Sequence, residues 1–170
     1  MCSAAAACAA MSTFTIHPGS SETLSALERN IGFIPNLAGT IAGSPVALTG
    51  FVALQTALRG SRLSALEREV VGITVSRLND APYSLAAHSV FAAKAGGSPE
   101  LIAALRAGEP LEDERLESIR RFTEDRTAPH GLDAEETLEV IAQIAYTTLA
   151  NLAANVAETP VDDAFKVPVS

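Results

Sequence analysis

Four side chains in one stretch of this sequence carry proton chemistry. Glu69 lies in the run 65–78, and Tyr83, Ser84 and His88 follow in a run opened by Pro82. Ser84 and His88 are four residues apart, which on a helix brings their Cβ atoms to about 5–6 Å. At 100° per residue, His88 shares an arc with Ser84, Leu85, Phe91, Ala92 and Ala95, an apolar face that turns inward. Glu69 falls between Ile73 and Ser76 on its own helix, beside an apolar seam. A carboxylate and an imidazole at the edges of two apolar faces form a candidate acid–base pair, because burial and mutual charge both move their ionisation. The bland alternative is a histidine hydrogen-bonded in the core, with Glu69 held by Arg68 or Arg77. Spacing therefore predicts one pocket where Glu69 meets His88, lined by residues such as Leu85, Phe91 and Tyr83.

The elements that must position these groups are readable from their ends. Ser64-Ala65-Leu66-Glu67 is a capping box, in which serine and glutamate each satisfy an orphan backbone N–H. Its helix reads to about Leu78 and stops at Asn79-Asp80. Pro82 opens the next, which runs to Ala95 and ends at Gly96-Gly97. Upstream, helices are expected over 22–30, from Phe33-Ile34-Pro35-Asn36 with the proline in the first turn, and from Ser44-Pro45 to Leu58. Downstream, Ser98-Pro99 starts one that ends near Gly108. An amphipathic helix is expected over 109–126, and a second capping box, Asp133 with Glu136, starts a long apolar helix to about Asn155. The segment from Glu158 onward reads as irregular, and His17 and His130 fall in loops exposed to solvent. No strand-like alternation persists and no repeat recurs. The expected architecture is all-α, a compact helical bundle around a core helical hairpin, with a flexible segment over 1–20 and a single domain over 21–170.

Composition narrows the function. The 170 residues include 31 alanines and no tryptophan, a content that suits closely packed helices better than strands. Twelve Lys and Arg stand against twenty Asp and Glu, for a net charge of -8, so the basic face a nucleic-acid binder needs is missing. No apolar run approaches the roughly 20 residues of a membrane span. Cys2 and Cys8 are the only thiols, both in an alanine-rich opening stretch without the features of a secretory signal. A cytoplasmic location is expected. Three scattered histidines suggest no metal site, and no cofactor is implied.

The run Leu63-Ser64-Ala65-Leu66-Glu67-Arg68-Glu69-Val70-Val71, followed by Ser76-Arg77-Leu78-Asn79, Tyr83 and Ala86-Ala87-His88, resembles the alkylhydroperoxidase D and carboxymuconolactone decarboxylase family. Phe33-Ile34-Pro35-Asn36-Leu37, Ser44-Pro45 and the closing Asn151, Asn155 and Thr159-Pro160-Val161-Asp162 resemble its peroxidase-related branch. The resemblance implies a helical fold assembled as trimers or hexamers. In the peroxidase branch it implies a C-x-x-C pair at the start of the second core helix, with a histidine and a glutamate as proton relay. By position the relay falls on Glu69 and His88, and the two cysteines fall on Ala81 and Ser84. Neither is a thiol. A hydroperoxide cycle needs a thiolate and a second thiol to resolve the sulfenic acid, so the resemblance points instead to the decarboxylase branch. That branch lacks the thiol pair, keeps a histidine and moves protons on lactone acids.

By that analogy His88 is a general acid/base oriented by Glu69, with Ser84 or Tyr83 as hydrogen-bond donor. A Ser84–His88–Glu69 nucleophile relay is weaker, since a serine and its base on adjacent turns of one helix align poorly. The leading expectation is a cofactor-free acid–base enzyme on a small carbonyl, lactone or carboxylate, working as a homo-oligomer. The alternatives are a catalytically silent oligomeric scaffold and, by similarity alone, an antioxidant-defence peroxidase.

Overall fold

Local chemistry sets most helix starts, and the computed structural model, which describes residues 14–17 and 22–166, shows eight helices among them and no strand. They are α1 (Glu22–Ile31), α2 (Asn36–Ile41), α3 (Pro45–Leu58), α4 (Ala65–Leu78), α5 (Pro82–Lys94), α6 (Pro99–Ala107), α7 (Glu114–Glu124) and α8 (Ala134–Val156). A 3₁₀ turn, Asp163–Phe165, follows. Cys2, Cys8 and most of the segment expected to be flexible lie outside the described residues.

Both predicted capping boxes form. Ser64 Oγ accepts from Glu67 N while Glu67 caps Ser64 N, and Asp133 and Glu136 do the same for α8. Gly108 ends α6 in the left-handed conformation (φ 77°), which suits a residue without Cβ. The α4–α5 hairpin turns through Asn79, Asp80 and Ala81, and Asn155 Nδ2 on α8 donates to the carbonyls of Asn79 and Asp80 (3.1 and 3.3 Å). Deeper in the same interface, Ser76 Oγ donates to Asn151 Oδ1.

The core has two lobes. One gathers Val70, Ile73, Ile102, Leu105, Ile119 and Phe122 between α4, α6 and α7. The other gathers Leu24, Leu27, Leu37, Phe51 and Ala150 around α1, α2, α3 and α8. α5 and α8 contribute to both, through Ala92 and Val140 in the first and Tyr83, Ala87 and Ala150 in the second. No helix among the described residues is long and apolar enough to cross a membrane.

Three expectations need correction, and one gains an addition. Pro35 stands at the N-cap of α2, not in its first turn; its extended backbone (ψ 139°) leaves the helix N–H groups to the Asp162 carboxylate, which accepts from Asn36 N. The amphipathic helix is shorter than 109–126, because Asp113 caps it at Glu114 and Leu111 N is tied to Glu117. The C-terminal segment is irregular as expected, apart from the 3₁₀ turn Asp163–Phe165, yet it is packed onto the fold: Thr159 and Phe165 are buried, and Phe165 packs on Phe33, Tyr83 and Phe91. His130 is half-buried rather than solvated, with its ring 4.4 Å from Phe122 and its Nδ1 accepting from Leu132 N.

Candidate functional site

Glu69 leaves the middle of α4 and meets His88, from the second turn of α5, at 2.6 Å between Oε2 and Nδ1. The two side chains are only 18% and 10% exposed. Gly72 makes the approach possible. A Cβ there would stand 2.6 Å from His88 Cε1 and 2.7 Å from Cγ, so the imidazole lies where any other residue would put a side chain. A carboxylate can only accept, so it fixes the hydrogen on Nδ1 and leaves the Nε2 lone pair free. Nε2 makes no hydrogen bond among the described residues.

Among the described residues no arginine forms an ion pair with Glu69. Arg68 donates to the Leu63 carbonyl, and Arg77 is paired with Glu124.

His88 borders two cavities. The outer one, about 410 Å³, is lined by Glu69, Gln55, Arg59, Arg68, Lys94 and Tyr146, among others. Arg59, Arg68 and Lys94 pair with no carboxylate among the described residues, although the chain has twenty acids for twelve cations. Glu69 is the sole acid on that wall, so the mouth favours an anion. The inner cavity, about 70 Å³, is mostly apolar and shares Gln55, His88, Phe91 and Tyr146 with the outer one.

The other sequence-selected residues divide. Ser84 is buried beside His88 on the inner cavity wall, and its Oγ makes no hydrogen bond, so the Ser84–His88–Glu69 relay does not form. Tyr83 also touches the inner cavity, yet its hydroxyl is committed to the fold. It donates to Asp162 Oδ2 at 2.6 Å and accepts from Leu37 N at 3.3 Å. Burial, then the bond to Asp162, pushes the phenol well above its usual pKa range. Ala81 is buried at the α5 N-cap and offers no functional atom. Leu85, expected on the pocket wall, packs into the other core lobe instead. Its place one residue past Ser84 rotates it towards α4 and α6.

Sequence reasoning placed α8 but missed its contribution to the site. Tyr146 lines both cavities, accepts from Gln55 Nε2 at 2.9 Å and stacks on Phe51 at 4.8 Å. Burial first, and the nearby Glu69 charge second, raise its pKa above the usual phenol range. The polar stripe Gln143, Tyr146 and Thr147, spaced i, i+3, i+4 in an otherwise apolar helix, was the available signal. Among the described residues no group of three or more His, Cys, Asp or Glu side chains is arranged to hold a metal ion.

Comparison with known proteins bears on this geometry. Residues 45–125, which include Glu69 and His88, match the model of the carboxymuconolactone decarboxylase family. No curated protein matches the sequence. Among solved structures, a peroxidase-related protein from Ralstonia eutropha JMP134, described as an alkylhydroperoxidase AhpD core, superposes with a TM-score of 0.74 at 21% identity, over 84% of each chain. A peroxidase-related protein from Silicibacter sp. TM1040 gives 0.71 at 20% identity, covering 90% of this chain and 93% of that one. The debrominase Bmp8, in complex with 2,3,4-tribromopyrrole, gives 0.70 at 18% identity over 85% and 86%. At these identities the likeness is one of fold.

Proposed function

We propose that this chain, whose residues 45–125 match the carboxymuconolactone decarboxylase family, is a cytoplasmic, cofactor-free acid–base enzyme for a small carbonyl, lactone or carboxylate substrate. The observation that carries this reading is the 2.6 Å bond between His88 Nδ1 and Glu69, which leaves Nε2 free beside two cavities. With its Nδ1 hydrogen held by the carboxylate, Nε2 accepts a proton from a carbon next to a carbonyl and returns it to carbon or oxygen. Glu69 stabilises the imidazolium formed in between. The unpaired cations at the mouth favour the carboxylate among the three substrate classes. The mostly apolar inner cavity, with the unpartnered Ser84 hydroxyl, suits a compact apolar body with an oxygen on it. A relative of this fold holding a brominated pyrrole supports a small planar ring.

A thiol cycle is disfavoured, because the two positions where the peroxidase branch places cysteines are Ala81 and Ser84. We also propose a homo-oligomer, a trimer or hexamer, that buries the exposed apolar stripe Leu138, Ile141, Ala145, Leu149, Leu152 and Val156 of α8 against a second copy. These six positions span an arc of about 80° along 19 residues, a continuous seam for a partner helix.

The test is exchange of α-protons in D₂O, followed by NMR on a panel of small keto acids, lactones and carboxylates. Wild type should exchange at least one of them, and His88→Ala should lose about 10²-fold or more. Hydroperoxide reduction with a dithiol donor should be absent. Reduction that survives loss of Cys2 and Cys8, with no exchange on any compound, would overturn the reading.

A further inference from the structure

Tyr146 stands where the outer and inner cavities join, beside His88. Its oxygen already accepts from Gln55 Nε2, and the hydroxyl hydrogen has no acceptor among the described residues. Stacking on Phe51, at 4.8 Å and 22° between ring planes, fixes the ring. An accepting phenol oxygen turns its own hydrogen away from the donor it accepts from. Here that leaves the cavity as the place for a partner.

Resting on the proton-transfer reading above, we infer that Tyr146 is a further catalytic residue, donating a hydrogen bond to the oxyanion that forms when His88 removes the α-proton of a carbonyl substrate. The step balances within the site. The C–H electron pair becomes a carbon–carbon π bond, the carbonyl π pair moves to oxygen, and the proton goes to Nε2. Tyr146 keeps its own proton throughout. Gln55, which holds the phenol oxygen from behind, is a positioning residue. The raised phenol pKa supports the role, because the hydroxyl remains a donor across neutral pH. Preorganised donors aimed at a developing oxyanion act most strongly where water is excluded, as on the mostly apolar inner wall.

The experiment uses 4-nitrophenolate, an aryl oxyanion whose absorbance reports its protonation, with intact wild type, Tyr146→Phe and Gln55→Leu. Wild type should bind it and lower its pKa. Tyr146→Phe, which preserves the Phe51 stack and so the fold by circular dichroism, should bind about tenfold or more weakly and release that pKa. Gln55→Leu should lie between. Its shift of the bound probe's pKa separates positioning from mere structural support. Failure of wild type to bind, or Tyr146→Phe within twofold of it at an unchanged bound pKa, overturns the inference. The proton-exchange panel separates the two ideas. If no compound exchanges yet Tyr146→Phe still loses the probe, the reaction assignment fails and the oxyanion donor stands. If exchange is lost only in His88→Ala, and Tyr146→Phe leaves both readouts unchanged, the donor fails alone.

Discussion

Replacing Gly72 with alanine should unseat His88 and destabilise the protein, although alanine is the better helix former. A Cβ at this position would stand 2.6 Å from His88 Cε1, and ordinary van der Waals contact begins at 3.4 Å. His88 Nδ1 would lie closer still, so the ring must retreat by about 1 Å to regain ordinary contact. The 2.6 Å bond to Glu69 has no slack for such a shift. Glycine to alanine inside a helix gains about 1 kcal/mol. Against that, losing a hydrogen bond to a charged group costs about 1.5–3 kcal/mol, and overpacking a core costs about 1–3 kcal/mol. The balance is a net loss of about 1.5–5 kcal/mol, or a fall in Tm of roughly 3–20 °C for a domain of this size. A displacement near 1 Å at a catalytic base costs about 10²-fold in rate. The internal control is Gly50→Ala in α3, where an added Cβ meets nothing within 4 Å. That change should raise stability by up to about 1 kcal/mol. Thermal unfolding by circular dichroism reads both, and the imidazole resonances of His88 in ¹⁵N-NMR report the displacement. A Gly72→Ala protein as stable as Gly50→Ala, with His88 resonances unmoved, would refute the reasoning.

Other expectations follow from single features. Ser84→Ala removes a buried hydroxyl without a partner, so the free protein should gain about 1 kcal/mol, read as a Tm higher by about 2–4 °C, while substrate affinity falls; a lower Tm would show that the hydroxyl is satisfied. The only two tyrosines, with no tryptophan to interfere, both have pKa values raised by burial first. A raised folded-state pKa gives stability that is complete below the unfolded phenol value, near 10, and is lost as pH rises beyond it. Tyrosinate absorbance should thus appear only together with loss of helicity in alkali, and ionisation of a still-folded protein near pH 10 would contradict it. Leu138→Glu with Leu152→Glu places two charges on the exposed α8 stripe; light scattering should then fall from an oligomer to the single-chain mass. A wild type that is already monomeric at working concentration would remove the oligomer proposal.

Much of this protein was decided locally. Ser64 with Glu67 and Asp133 with Glu136 start α4 and α8 where the capping rule puts them, since a cap needs only residues three apart. The proline starts of α3, α5 and α6 are local for the same reason. The i,i+4 spacing of Ser84 and His88 fixed their shared face, and the absence of sulfur at positions 81 and 84 is visible in the residues alone. Contacts between distant segments were not legible. Asp162 reaches across 126 positions to cap α2 and claims the Tyr83 hydroxyl, which turned an expected donor into part of the framework. Tyr146 and Gln55 lie 91 positions apart, and no periodicity within either helix reveals that they meet. Whether Glu69 faced His88 or an arginine depended on how closely α4 and α5 approach. Gly72 makes that approach possible by what it lacks, a property that takes its meaning from the neighbour packed against it.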